Sequence, residues 1–90
     1  MQILQTPNFR KSVKKLHQKD KLMLDEAVKT IIKDPLVGQQ KKGALRNVRV
    51  YKFMIKTQQI LLAYRFSKKE PLIEFLVLGS HENFYRDLAR

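Results

Sequence analysis

Apolar positions recur along this chain with two periods, and the change of period divides it. In the first half they return every three or four residues. Phe9, Val13 and Leu16 fall at spacings of four and three, and Leu24, Ala27, Val28, Ile31 and Ile32 at i, i+3, i+4, i+7 and i+8. Both patterns describe one apolar face of a helix. Thr6-Pro7 predicts the start of the first helix, with Thr6 as cap and Pro7 at the first helical position. Asp20 predicts the cap of the second, and Asp34-Pro35 its end, because a residue before proline is pushed out of the helical region. A short connection at residues 17–21 makes the two an antiparallel hairpin. Before them, Gln2-Ile3-Leu4-Gln5-Thr6 reads as a short strand.

After a loop-like, basic stretch at residues 35–47, the period falls to two. Residues 48–56 and 60–66 are rich in β-formers and joined by a tight connection at Thr57-Gln58-Gln59. Leu72 to Leu78 carries only Glu74 as a charge, so it predicts a central strand buried on both faces. Gly79-Ser80 predicts its end, with Ser80 capping a short last helix that carries Phe84, Tyr85 and Leu88. The order β-α-α-β-β-β-α predicts a single α+β domain over residues 1–90. In it, the helix hairpin packs on one face of a mainly antiparallel four-stranded sheet.

Strand alternation assigns side chains to faces. Tyr51, Phe53 and Ile55, with Ile60, Leu62, Tyr64 and Phe66, should face the helices. Val50, Lys52, Met54 and Lys56, with Leu61, Ala63 and Arg65, should face outward. Lys41, Lys42 and Arg46 lie beside this open face in sequence, and His81 and Tyr85 follow the last strand. Positive groups, an imidazole and a phenol on one sheet face suit phosphate-ester chemistry: cations hold the phosphate and a titratable group moves the proton.

Charge sharpens that picture. Nineteen Lys and Arg against eight Asp and Glu give +11, divided as +6 over residues 1–45 and +5 over residues 46–90. The excess therefore belongs to the folded body and favours a polyanionic partner. The absence of cysteine removes disulfides and thiolate chemistry, and for so small a chain points to a reducing cytoplasm. The opening Met1-Gln2-Ile3-Leu4 lacks the features of a signal peptide, and no apolar run approaches the roughly 18–20 residues that cross a bilayer. Two distant histidines and scattered carboxylates give no metal-ligand spacing, so neither metal nor cofactor is expected. A phosphate-binding loop, a dinucleotide fingerprint and a Ser-His-Asp set are likewise missing.

In element order, length and charge, nearly the whole chain resembles the RelE/ParE superfamily of bacterial type II toxins. The resemblance is carried by Lys42-Gly43-Ala44-Leu45-Arg46, Val50-Tyr51-Lys52-Phe53, Leu62-Ala63-Tyr64-Arg65 and the ending Leu78-Gly79-Ser80-His81-Glu82-Asn83-Phe84-Tyr85. That ending looks most like the RelE and YafQ-type mRNA interferases. The resemblance implies a ribosome-dependent mRNA endonuclease that inhibits translation and is neutralised by an acidic antitoxin, in a toxin-antitoxin hetero-oligomer. It also implies an alternative, the ParE-type inhibitor of DNA gyrase, which has the same fold and cleaves nothing.

Residue by residue, Lys52 matches a catalytic strand position, His81 the basic or imidazole group after the last strand, and Tyr85 the C-terminal aromatic. Met54 stands where RelE has a second lysine and Leu61 where it has an arginine, with Lys56 and Arg65 further along the same rows. The implied mechanism needs no metal: the ribose 2′-hydroxyl attacks the adjacent phosphorus and the 5′-oxygen leaves. His81 is the acid/base candidate, Lys52 and Arg65 the phosphate clamps, and Tyr85 the group that stacks on a splayed base. Lys41, Lys42, Arg46, Arg49 and Lys56 are the expected RNA-binding cations.

Overall fold

Thr6 begins the first helix by its backbone and by two bonds of its hydroxyl. Its extended backbone precedes Pro7, its Oγ1 accepts the Phe9 N–H at 3.1 Å, and the same hydroxyl donates to the Leu76 carbonyl at 2.6 Å. The computed structural model describes residues 1–41, 47–80 and 84, and Thr6 joins two of its elements, β1 (Gln2–Gln5) and α1 (Pro7–Lys14). There follow α2 (Gln18–Lys33), β2 (Gln39–Gln40), β3 (Val48–Ile55), β4 (Gln58–Ser67) and β5 (Leu72–Ser80).

These elements form two helices on a five-stranded sheet of order β1-β5-β4-β3-β2. β1 runs parallel to β5, and the remaining neighbours are antiparallel. The α+β class and the antiparallel meander match the sequence reading, but the sheet has one strand more. β2 is two glutamines paired with Val50 and Arg49 inside the stretch expected to be loop. Two polar residues carry no periodic signal, so only pairing reveals them. β2 covers only the start of β3 and leaves the outer edge of Tyr51–Ile55 without a strand neighbour among the described residues.

Three boundaries also differ. His17, not Asp20, is the N-cap of α2, and Asp20 sits in the first turn, where its charge favours the helix N-terminus. β5 continues through Gly79 to Ser80, which pairs with Ile60. The β3–β4 connection is Lys56-Thr57 rather than residues 57–59: Ile55 pairs with Gln58, and Lys56 takes a positive φ of 56°. Lys56 thus leaves the strand row in which alternation placed it. The expected last helix falls on residues of which only Phe84 is described; Tyr85 and Leu88 lie outside the described residues.

Burial falls into two clusters, one on each face of the sheet. On the helix side Phe9, Leu24 and Ile31 pack over Ile55, Ile60, Leu62, Tyr64, Ile73, Phe75 and Leu78, with Tyr51, Phe53 and Phe66 at the margin. Phe9 and Phe75 stack with centroids 5.5 Å apart. Ile32, read from its spacing as a core residue, is 41% exposed, because the edge of the apolar stripe on α2 turns past the sheet. On the other side, Val50, Leu61, Ala63 and Val77 bury Phe84 completely. The face expected to be open is therefore closed at its centre. Among the described residues no helix is long and apolar enough to cross a membrane.

A bulge interrupts the alternation along β5. Ala63 pairs with Val77 but Tyr64 with Phe75, so Leu76 has no partner on β4. Ile73 and Phe75 face the helices before it, and Leu78 faces them after it.

Candidate functional site

Lys52 sits midway along β3, opposite Leu61 on β4, which in turn stands opposite Gly79 on β5. Alternation points its side chain away from the helices, and it is exposed. Its inner neighbour Leu61 is fully buried beneath Phe84. A Cβ added to Gly79 would lie 3.9 Å from Phe84 Cα, so the chain returns over the end of its own last strand. Among the described residues, Lys52 thus borders an apolar patch. Met54, two residues along the same row, is 47% exposed and extends that apolar border. Ser80 ends β5 beside this group, and His81 is the next residue in sequence. His81 and Tyr85 themselves lie outside the described residues, as do Lys42 and Arg46.

Arg65 is set apart from Lys52. It occurs four residues beyond Leu61 on β4, roughly 13 Å at strand rise. There its guanidinium meets two carboxylates: Nε lies 3.4 Å from Glu74 Oε1, its cross-strand partner, and Nη1 3.6 Å from Glu70 Oε1. An anion approaching Arg65 must compete with both. The structure therefore does not bring together the two proposed phosphate clamps, and of the two only Lys52 has no carboxylate partner among the described residues.

Arg49 faces the helix side, not the outward face. Its Nη1 donates to the Leu36 carbonyl at 3.2 Å and the Gly38 carbonyl at 2.8 Å. Carbonyl partners fix the side chain without neutralising its charge. Lys41 follows β2 and donates its backbone N–H to Val48 O at 2.9 Å. Lys56 projects from the hairpin turn at the far end of β3. Among the described residues, the expected RNA-binding cations therefore lie at both ends of β3 rather than together.

Sequence reasoning missed the device that fixes the chain after α2. Tyr64 is fully buried, donates its hydroxyl to the Pro35 carbonyl at 2.7 Å and accepts the Gly38 N–H at 2.9 Å. Burial is the chief cause that raises its pKa above the ordinary 10.0, while the Gly38 bond and the Arg49 charge oppose the rise. The signal available in sequence was Pro35 followed by Gly38, read there only as loop composition. Gly38 has no room for a larger residue: an added Cβ would lie 2.7 Å from the Tyr64 hydroxyl oxygen.

Known proteins give this arrangement a family. The family described as ParE-like toxin of type II bacterial toxin-antitoxin system matches residues 3–89. Among solved structures, the chain is similar to one in the Escherichia coli RelBE toxin-antitoxin complex. The two share 14% identity and a TM-score of 0.70, over 88% of this chain and 94% of that one. It is similar to a YoeB/ParE toxin from Agrobacterium tumefaciens at 14% identity and a TM-score of 0.71, over 90% and 99%. A chain of a Mycobacterium tuberculosis RelBE-type toxin-antitoxin complex shares 19% identity and a TM-score of 0.62, over 89% and 96%. No curated protein matches the sequence.

Proposed function

Since the chain belongs to the ParE-like toxin family of type II bacterial toxin-antitoxin systems, we propose that it acts in the cytoplasm by cleaving ribosome-bound mRNA, without a metal. The observation that carries this reading is the register Lys52–Leu61–Gly79. It sets an exposed strand lysine, without a carboxylate partner among the described residues, two strands from the end of β5, and His81 is the residue after Ser80 in sequence.

In this mechanism His81 exchanges the proton of the ribose 2′-hydroxyl as that oxygen attacks phosphorus. Lys52 stabilises the charge gathering on the non-bridging oxygens, and protonation of the departing 5′-oxygen completes the transfer. Tyr85 stacks on the base beside the scissile bond. The charge of +11 draws the message in, with Lys41, Lys42, Arg46 and Lys56 as contributors. Arg65, held by Glu70 and Glu74, serves the end of the sheet rather than the phosphate. The partner in the cell is an acidic antitoxin; the RelBE complexes that this fold resembles are toxin-antitoxin pairs.

One observation favours the gyrase-inhibitor reading. Leu61, standing where the RelE pattern has an arginine, is fully buried beneath Phe84, and Arg65 is too far along β4 and too well paired to replace it. The test is induction in bacteria, with mRNA 5′ ends mapped and gyrase supercoiling assayed in parallel. New 5′ ends with normal supercoiling support the ribonuclease; inhibited supercoiling with intact messages overturns it.

A further inference from the structure

Two adjoining cavities open where β3 begins and β4 ends. The first, of about 260 Å³, is lined by Leu36, Gln40, Asn47, Arg49, Phe66 and Lys68. The second, of about 380 Å³, shares Asn47, Phe66 and Lys68 with it and adds Lys69 and the Arg65–Glu70 pair. Neither belongs to the Lys52 site: Arg49 stands three residues from Lys52 along β3 and on the opposite face of the sheet.

Three properties of the first cavity point to one ligand chemistry. Among the described residues its lining holds two cations and no carboxylate. Arg49 is aimed in advance by two backbone carbonyls that leave its charge intact, and Lys68 makes no ion pair among the described residues. Phe66, half-buried with its inner side on the helix-side core, lines both cavities and stands among these cations. Positive groups around an aromatic ring, with amides beside them, are the requirements for one unstacked nucleotide: phosphate on the cations, base on the ring. An acidic peptide would use the charge and leave the ring idle.

We propose that this cleft binds a single-stranded nucleotide of RNA, with Arg49 and Lys68 on the phosphate, Phe66 under the base, and Asn47 offering hydrogen bonds. The choice of RNA over DNA rests on the ribonuclease reading above. Because the cleft lies across the sheet from Lys52, the nucleotide it takes is not the one being cleaved.

The experiment measures binding of the full chain to a labelled single-stranded 2′-O-methyl RNA, which offers no 2′-hydroxyl for attack. Phe66→Leu keeps the apolar packing and removes the ring, and should weaken binding about tenfold; Phe66→Tyr should restore it. Lys68→Ala should weaken binding and lower the salt slope by about 0.7, and it carries the test alone if Phe66→Leu does not fold by thermal melting. Unchanged affinity in a folded Phe66→Leu, an unchanged salt slope in Lys68→Ala, or no binding by the unaltered chain overturns the proposal. Competition by polyglutamate as effective as by unlabelled RNA overturns it in favour of an acidic protein partner. Cleavage, assayed separately with Lys52→Ala, keeps the two readings apart. Phe66-dependent binding in a chain that cleaves nothing upholds the cleft and removes the nuclease, and cleavage with Phe66-independent binding does the reverse.

Discussion

Arg49 and Tyr64, directly opposite one another across β3 and β4, grip the same residue from two sides. Arg49 donates to the carbonyl of Gly38, and Tyr64 accepts its N–H. The turn that leads from α2 into β2 is therefore held by a cross-strand pair rather than by its own backbone. Tyr64→Phe removes one donor and one acceptor from a buried site, so destabilisation of about 1–3 kcal/mol is expected in chemical denaturation. The fold should persist, because the ring and its packing on Phe75 remain.

The same hydroxyl gives a pH signature. Folding raises the Tyr64 pKa above 10.0, so at alkaline pH the unfolded chain releases this proton before the folded one does. Stability is then full below about pH 10 and falls as pH rises through the folded value. Tyr64→Phe should make the decline of melting temperature above pH 10 shallower, measured against the unaltered chain to subtract the other tyrosines.

Gly38→Ala should be worse than its exposed surroundings suggest. Its Cβ would come within 2.7 Å of the Tyr64 hydroxyl oxygen and 2.8 Å of Cε1. Relief requires moving a fully buried ring or the turn, at about 1–3 kcal/mol. Combined with Tyr64→Phe the losses should not add, since one clash disappears with the hydroxyl.

Thr6 offers a test of helix docking. Thr6→Ala loses both the cap bond to Phe9 and the bond to the Leu76 carbonyl, and should cost about 1–2 kcal/mol, whereas Thr6→Ser should be nearly neutral. Equal stability of all three chains, read by denaturant midpoints, would remove Thr6 from the junction.

For the chemistry, His81→Ala should lower single-turnover cleavage of ribosome-bound message by about 10²–10⁴-fold with the melting temperature retained. Lys52→Ala should lower it with part of the loss recovered at low salt, as for a phosphate contact. Arg65→Ala should affect cleavage least of the three, because Glu70 and Glu74 already occupy its guanidinium. A larger loss from Arg65→Ala than from Lys52→Ala would reverse the roles given to them.

Much of this architecture was legible because local chemistry and tertiary packing agree. The Thr6-Pro7 start, the Leu24–Ile31 stripe and the inward row Ile60, Leu62, Tyr64 all stand where spacing put them. The exposure of Lys52 followed from the same alternation. What alternation does not reveal is what covers a face. Leu61 and Ala63 were outward as read, yet they are fully buried, because Phe84 returns over them from a distant part of the chain. The neutralisation of Arg65 was hidden for a related reason. It depends on the pairing of Arg65 with Glu74, and a run as apolar as Leu72–Leu78 shows no register by itself. Tyr64 was placed on the correct row, but its common target with Arg49 on Gly38 needs the path of the turn.

The unpaired Leu76 explains why that run looked featureless. With it, the inward side chains fall at residues 73, 75 and 78, which fits no single alternation. Without it, Ile73, Phe75, Leu78 and Ser80 would become every second residue, and Glu74, Val77 and Gly79 the complementary set. Leu76 is thus a one-letter insertion in an otherwise regular two-residue reading frame. A chain lacking it would keep every β4–β5 partnership and the whole pairing with β1, which ends at Phe75. It would give up the partial cover of Leu76 on the outward cluster and the carbonyl to which Thr6 fastens α1. The extra residue serves the junction between sheet and helix, and the sheet itself could be written without it.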